Sequence, residues 1–215
     1  LAIEIDNNLI PILKDTLKEY ENVEIINEDI LKIDLNKIIN NSCFKNIKIV
    51  ANLPYYITTP IIMHILESKC KIDSITVMVQ KEVAERMQAS PGEKNYGAIT
   101  LAILYYSEPY LVANVPKNCF IPRPNVNSAV IHFKIRKDPL VNVSDEKLMF
   151  KIIKYGFGQR RKTLLNCIFN MPEFNFDKEE IEKILISCGF DPKIRAEKLS
   201  LEDFAYLTNY IKATK

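Results

Sequence analysis

The sequence predicts a doubly wound α/β sheet followed by a small all-α region. Three observations predict it. Short β-rich runs alternate with helical stretches through the first half of the chain. Two strand-like runs then follow each other with no helix between them, and beyond Arg136 every apolar run has helical spacing. Strands alternating with helices imply a largely parallel sheet, and two strands in succession imply an antiparallel pair at its end.

The elements can be justified in order. LAIEI is a strand, and NNLIPILKDTLKEY carries its apolar residues at helical spacing. NVEII reads as a second strand, and NIKIVANL as a buried one that ends at the Pro54 breaker. TPIIMHILE starts a helix with Thr59 as its N-cap and Pro60 at the first helical position. SITVMVQ is another apolar strand, and a polar loop around Ser90–Gly97 leads into a helical ITLAILYYS. YLVANV and SAVIHFKI are the successive strands, joined by the proline-rich PKNCFIPRPNVN. KDPLVNVSDE reads as a linker, so the boundary falls near residue 138, with an α/β domain over 1–138 and a helical domain over 139–215. Its helices are KLMFKIIKYGF, RRKTLLNCIF, KEEIEKILISCG and LEDFAYLTNYIKA, with Gly189 ending the third and Ser200 capping the fourth.

Bulk composition narrows the function classes. With 47% apolar and 26% charged residues over 215 positions, this is an ordinary globular composition, without an apolar run long enough to span a membrane. Five scattered cysteines without a CxxC pair point to reduced thiols in a cytoplasmic protein, and no leader pattern argues for secretion. His64 and His132 lie far apart without ligand-spaced partners, so no metal is expected. The net charge is only +2, but cations segregate. One acid-free window holds Lys117, Arg123, Lys134, Arg136 and Lys137, and another holds Lys147, Lys151, Lys154, Arg160, Arg161 and Lys162. A one-sided basic surface is the footprint of a nucleic-acid partner, and solvated charge that happens to segregate is the alternative.

Ligands of doubly wound sheets sit at the carboxyl ends of the strands. Glu4 ends the first strand, where a carboxylate can accept from both hydroxyls of a ribose. Asp29 closes the second, where it could accept from an adenine amino group; at both positions a solvated cap is the plain alternative. Asn52-Leu53-Pro54-Tyr55 is more specific. An exocyclic adenine amine is a poor nucleophile because its lone pair is delocalised into the ring. The Asn52 side-chain oxygen and the Leu53 carbonyl could hold its two N–H groups and favour a pyramidal nitrogen, with Pro54 fixing the turn. Tyr55 offers a face for a flipped base, worth ~1–3 kcal/mol, and a π-rich wall for a sulfonium.

Asn-Leu-Pro-Tyr is the form the catalytic motif takes in the rRNA adenine dimethyltransferases, the family of the kasugamycin-resistance enzyme, and the chain resembles that family through most of its length. NLPYYITTPIIMHIL, VMVQKEVAERM, EKNYGAITL, FIPRPNVNSAVIHF, FGQRRKTLLN and RAEKLSLEDFAYLTNY look like family segments in family order, the last two like its small-subunit type. The resemblance implies a Rossmann-like methyltransferase domain with a helical RNA-binding domain and S-adenosylmethionine as cofactor. Its reaction would be dimethylation of the 6-amino groups of two adjacent adenosines, in a hairpin loop near the 3′ end of small-subunit rRNA, during ribosome biogenesis. The partner would be the rRNA of an immature 30S-type particle, the protein a cytoplasmic monomer without membrane contact. It makes Glu4 the ribose acceptor, Asp29 the adenine contact, Asn52 the bridge between cofactor and target amine, Tyr55 the stacking partner and Phe120 a second aromatic beside the base. Gln159, Arg160, Arg161 and Lys162 match a family segment, and with Lys117 and Arg123 the three cations are expected on the RNA backbone, a solvated helix face being the alternative.

The sequence departs from the family at its start. The family places a strand and a Gly-rich turn before the Glu4 strand, whereas this chain begins at Leu1 and has five glycines and no GxGxG. The expectation is a truncated fragment, with unpaired edges on the Glu4 and Asn52 strands and weak or absent cofactor binding. Two other functions fit parts of the pattern: a non-catalytic assembly factor of the same fold, and an adenine methyltransferase acting on large-subunit rRNA or DNA.

Overall fold

A computed structural model describes residues 1–40, 43–172, 174 and 176–214. Its contacts divide the chain into two compact units, residues 1–47 with 54–72, and residues 48–53 with 73–215. The chain does not part at residue 138, because the helical segments share a core with residues upstream of that position.

The first unit contains β1 (Ala2–Glu4), α1 (Leu9–Thr16), β2 (Ile25–Asn27), α2 (Leu35–Asn40) and α3 (Thr58–Glu67). β1 and β2 are parallel, with Ala2 opposite Ile25 and Glu4 opposite Asn27. The α3 helix buries Ile61, Ile62, Ile65 and Leu66, the i, i+1, i+4, i+5 pattern of one helical face. It starts two residues earlier than expected, so Thr59 is not its N-cap. The cap position is Ile57, and the Thr58 hydroxyl donates back to the Pro54 carbonyl at 3.0 Å. Pro60 still lies in the first turn, where a missing N–H costs nothing. The short α2 was not anticipated; the Asn36 amide fastens it to the Ser68 carbonyl at 2.7 Å.

The second unit begins with β3 (Lys48–Asn52), β4 (Ser74–Gln80), α4 (Lys81–Met87), α5 (Ala98–Tyr106), β5 (Ser107–Val115) and β6 (Ser128–Ile135). The sheet runs β3-β4-β6-β5, with β3 parallel to β4 and β6 antiparallel to both its neighbours. The successive strands thus form the expected antiparallel pair. Ile75, Val77, Val79, Ile131 and Phe133 are fully buried, as apolar side chains of central strands should be. Neither α4 nor the insertion of β6 beside β4 was read from the sequence.

Four helices follow: α6 (Glu146–Gly158), α7 (Leu164–Phe169), α8 (Lys178–Ser187) and α9 (Leu201–Ala213). Asp145 caps α6 by accepting from the Leu148 amide, and Asp177 with Glu180 and Ser200 with Asp203 form capping boxes on α8 and α9. Gly189, with φ of +80°, ends α8 in the left-handed conformation that glycine adopts without strain, and Phe190 N–H returns to the Leu185 carbonyl at 2.9 Å. The helix expected over RRKTLLNCIF is shorter, because Thr163 is its N-cap and Arg160–Lys162 form a turn before it. Met149, Ile152 and Ile153 of α6, Leu164 and Ile168 of α7, Leu185 of α8 and Phe204 and Leu207 of α9 make one core with Tyr96, Leu101 and Tyr105. The Tyr105 and Tyr106 hydroxyls both donate to Glu146 at the head of α6. Burial, and then the Glu146 carboxylate, push the Tyr105 hydroxyl up to about 12.

Candidate active site at the strand ends

In the first unit, Glu4 and the Asp29 turn follow neighbouring parallel strands and lie at their carboxyl ends. Both are half-buried. Glu4 Oε1 accepts from the Asp6 amide at 2.8 Å, and Asp29 Oδ1 accepts from the Leu31 amide at 3.0 Å. Each carboxylate therefore shapes its own turn with one oxygen, and no side-chain bond among the described residues engages the other. Asn27, which sequence reasoning passed over, clamps the end of β1 by donating to the Glu4 carbonyl at 2.9 Å.

In the second unit, Asn52 is the last residue of β3 and pairs with Met78. Its side chain is exposed, while Leu53 is buried and its amide donates to the Met78 carbonyl at 3.3 Å. Among the described residues no donor reaches the Leu53 carbonyl or the Asn52 amide group. Pro54 and Tyr55 belong to the first unit, where the Pro54 carbonyl accepts from Ile57 N–H at 3.2 Å and Tyr55 is half-buried. The register of the second sheet sets Asn52, Gln80 and Val115 at one end, beside the start of β6 at Ser128. The connection from residue 116 to 127 lies at that same end and carries Lys117, the half-buried Phe120 and the exposed Arg123. Asn127 fixes its two limbs: its side chain accepts from the Lys117 amide at 3.0 Å and its carbonyl from the Lys81 amide at 3.0 Å.

The three cations expected on RNA are not equivalent. Arg160 donates through Nη2 to the Lys94 and Tyr96 carbonyls, both at 3.0 Å, and its Nε is 4.0 Å from Glu197. Arg161 and Lys162 are exposed. Arg136, in the other basic window, is also structural, donating to the Ser107 carbonyl at 3.2 Å. Of the histidines, His64 Nε2 lies 3.2 Å from the Ile33 carbonyl and His132 Nδ1 lies 2.8 Å from the Thr76 hydroxyl. No cluster of three metal-binding side chains occurs among the described residues, and no helix among them is long and apolar enough to cross a membrane.

Parallel strands with acids at or just past their carboxyl ends, an Asn-terminated strand and an appended helical core define the class: a Rossmann-like methyltransferase fold with a small all-α region. Comparison narrows it. The family described as Ribosomal RNA adenine dimethylase matches residues 1–213, and the chain belongs to that family. It is 57% identical over 213 residues to Ribosomal RNA small subunit methyltransferase A of Lachnoclostridium phytofermentans, covering 98% of this chain and 73% of the relative. The crystal structure of a dimethyladenosine transferase from Plasmodium falciparum superposes with a TM-score of 0.74 at 25% identity, over 95% of this chain and 78% of that one. That of the 23S rRNA methyltransferase ErmE gives 0.66 at 21% identity over 98% and 80%, a likeness of fold.

Proposed function

We propose that this protein dimethylates the 6-amino groups of two adjacent adenosines in a hairpin loop near the 3′ end of small-subunit rRNA during ribosome biogenesis, with the immature 30S-type particle as its partner. The methyl donor of the family is S-adenosylmethionine, whose sulfonium is already activated and supplies the methyl group. The donor set fits that cofactor: the oxygen left over on Glu4 suits a ribose diol, and that on Asp29 suits an adenine amine. The observation that carries the reading is the state of Asn52-Leu53: an exposed side-chain amide and a neighbouring carbonyl with no described donor, at the carboxyl end of a sheet strand.

The Asn52 oxygen and the Leu53 carbonyl accept from the two N–H groups of the target amine and free its lone pair for attack. Tyr55 and Phe120 are each read as a stacking face for an extruded base, and extrusion is cheapest for a base in a hairpin loop. These residues would contribute by holding the amine nitrogen in line with the methyl donor; as the N–C bond forms the donor's S–C bond would break, leaving a thioether, and the amine's proton would pass to water. Lys117, Arg123, Arg161 and Lys162 are read as backbone contacts, with Arg160 ordering the turn that presents its neighbours. The helical region over 139–215 is read as the RNA-binding part, and the protein as a cytoplasmic monomer.

Asn52→Ala in the full-length protein tests the site. Loss of one aligned acceptor should lower turnover at least ~100-fold, while RNA binding persists. Near-normal turnover removes Asn52 from the mechanism.

A further inference from the structure

The parallel pair of the first unit ends on a side chain. β1 and β2 have three residues each, and their last rung sets Glu4 opposite Asn27. Backbone pairing stops just beyond it: Glu28 N–H donates to the Glu4 carbonyl at 3.1 Å, and among the described residues no backbone donor reaches the Ile5 carbonyl. Asn27 carries the pairing one residue further. Its Nδ2 lies 2.9 Å from the Glu4 carbonyl oxygen and 3.4 Å from that of Ile5, so the two hydrogens of one amide serve two successive carbonyls.

Those two carbonyls belong to the peptides on either side of Ile5, and the second peptide aims Glu4. Its carbonyl is that of Ile5, and its N–H is that of Asp6, which donates to Glu4 Oε1 at 2.8 Å. A peptide is planar, so holding its carbonyl sets the direction of its N–H. Asn27 therefore reaches the Glu4 carboxylate through one rigid unit and sets the way its other oxygen faces. The same residue stands two positions before Asp29, whose Oδ1 is fixed by the Leu31 amide at 3.0 Å. One amide thus ties the exit of the Glu4 strand to the exit of the Asp29 strand and sets the spacing of the two acids.

We propose that Asn27 is a positioning residue for the cofactor's ribose, acting through the Asp6 peptide to turn the second Glu4 oxygen toward the vicinal hydroxyls. The inference rests on the S-adenosylmethionine reading above and deepens it. The role needs a donor: aspartate at this position would set an oxygen against two carbonyls, and alanine would release both peptides.

The test is titration calorimetry of the full-length protein, intact and Asn27→Ala, with S-adenosylhomocysteine and with its 2′,3′-dideoxy analogue, repeated in a Glu4→Gln background. S-adenosylhomocysteine is the donor after its methyl group has left, so it reports binding without turnover. Asn27→Ala should weaken binding of the ribose ligand roughly 10-fold and of the dideoxy analogue by less than about 2-fold. In Glu4→Gln the same change should cost less than about 2-fold on either ligand, because residues in one hydrogen-bond chain are not additive. An equal loss on both ligands, a loss that adds in full to that of Glu4→Gln, or no loss overturns the inference and leaves the cofactor reading standing. Should Asn27→Ala fail to melt cooperatively, Asn27→Asp keeps the shape without the donors and is judged by the same ratio. If the intact protein binds the two ligands equally, the Glu4 assignment falls and the inference with it. If it binds neither, the S-adenosylmethionine reading falls as well.

Discussion

Gly156→Ala sets two physical effects against each other at one position of α6. Alanine is the better helix former by ~0.8–1.0 kcal/mol. Against it stands geometry: a Cβ at residue 156 would lie 2.8 Å from the Ala196 Cβ and 3.6 Å from Leu164 Cδ1. Carbon atoms prefer ~3.5–4.0 Å, so one backbone must move by the better part of an ångström. Ala196 is a methyl carried directly on its backbone and cannot swing aside. The 3-10 turn Ala196–Lys198 is tied by Gly92 N–H to the Glu197 carbonyl at 2.8 Å, by the Tyr96 hydroxyl to Leu199, and by Leu164 N–H to the Ile194 carbonyl at 2.8 Å. Overpacking costs ~1–3 kcal/mol, and a 2.8 Å contact with a methyl fixed to its backbone belongs in the upper part of that range, above the propensity gain. The net loss should be about 1–2 kcal/mol, lowering Tm by roughly 2–8 °C at this chain length. Gly158→Ala is the control. Nothing lies within 4 Å of its Cβ position, so that change should leave Tm unchanged or raise it slightly. Calorimetric melting of both variants decides the matter. Equal Tm values for the two would refute the close approach of α6 to the Ala196 turn.

Tyr96→Phe removes the buried bond to the Leu199 carbonyl and should cost about 1–1.5 kcal/mol in denaturant unfolding. No loss would mean that the bond does not form. Because that hydroxyl is held above its ordinary value of 10.0 by burial, then by Glu202 and Asp203, the difference from Phe should be full below about pH 10 and shrink as pH rises beyond it, where only the unfolded chain ionises. Asp145 is held below the ordinary carboxylate value of 3.8, first by the Leu148 amide and then by Lys212, whose Nζ lies 3.0 Å from Oδ2. A depressed folded value gives stability that is present above about pH 4 and disappears as pH falls through the lower folded value. Asp145→Asn should therefore lower Tm at pH 7, and the gap should close at acid pH. A gap that is constant with pH would rule out the ionised cap.

What could be read from the sequence follows from how local each signal is. The Ser200 cap, the Gly189 terminus and the apolar strands SITVMVQ and SAVIHFKI carry their causes within a few residues, and the structure has them where they were expected. The α4 helix was legible but missed: Val83, Ala84 and Met87 have helical spacing, yet they follow β4 with no breaker between. Thr163 gave a usable capping signal that would have moved Arg160–Lys162 off a helix face. The burial of Tyr96 had no local signal, because its partner Leu199 is 103 residues away. The placement of β6 next to β4 is likewise a property of the whole sheet. At the candidate site, Asn52-Leu53-Pro54-Tyr55 stood out because each residue type has its own chemical use. Asn27 and Asn127, whose work is to clamp loops in three dimensions, did not.

The central claim is that two acceptors at the end of β3 ready an adenine amine for methyl transfer. It is tested most directly by incubating full-length protein, with Asn52 intact or replaced by alanine, with labelled S-adenosylmethionine and immature small ribosomal subunits. Label should accumulate to two methyl groups on each of two adjacent adenosines with the intact protein. With Asn52→Ala it should nearly vanish, although the particle is still bound and Tm is almost unchanged at this exposed position. Comparable labelling by both proteins, or labelling by neither, would contradict the account.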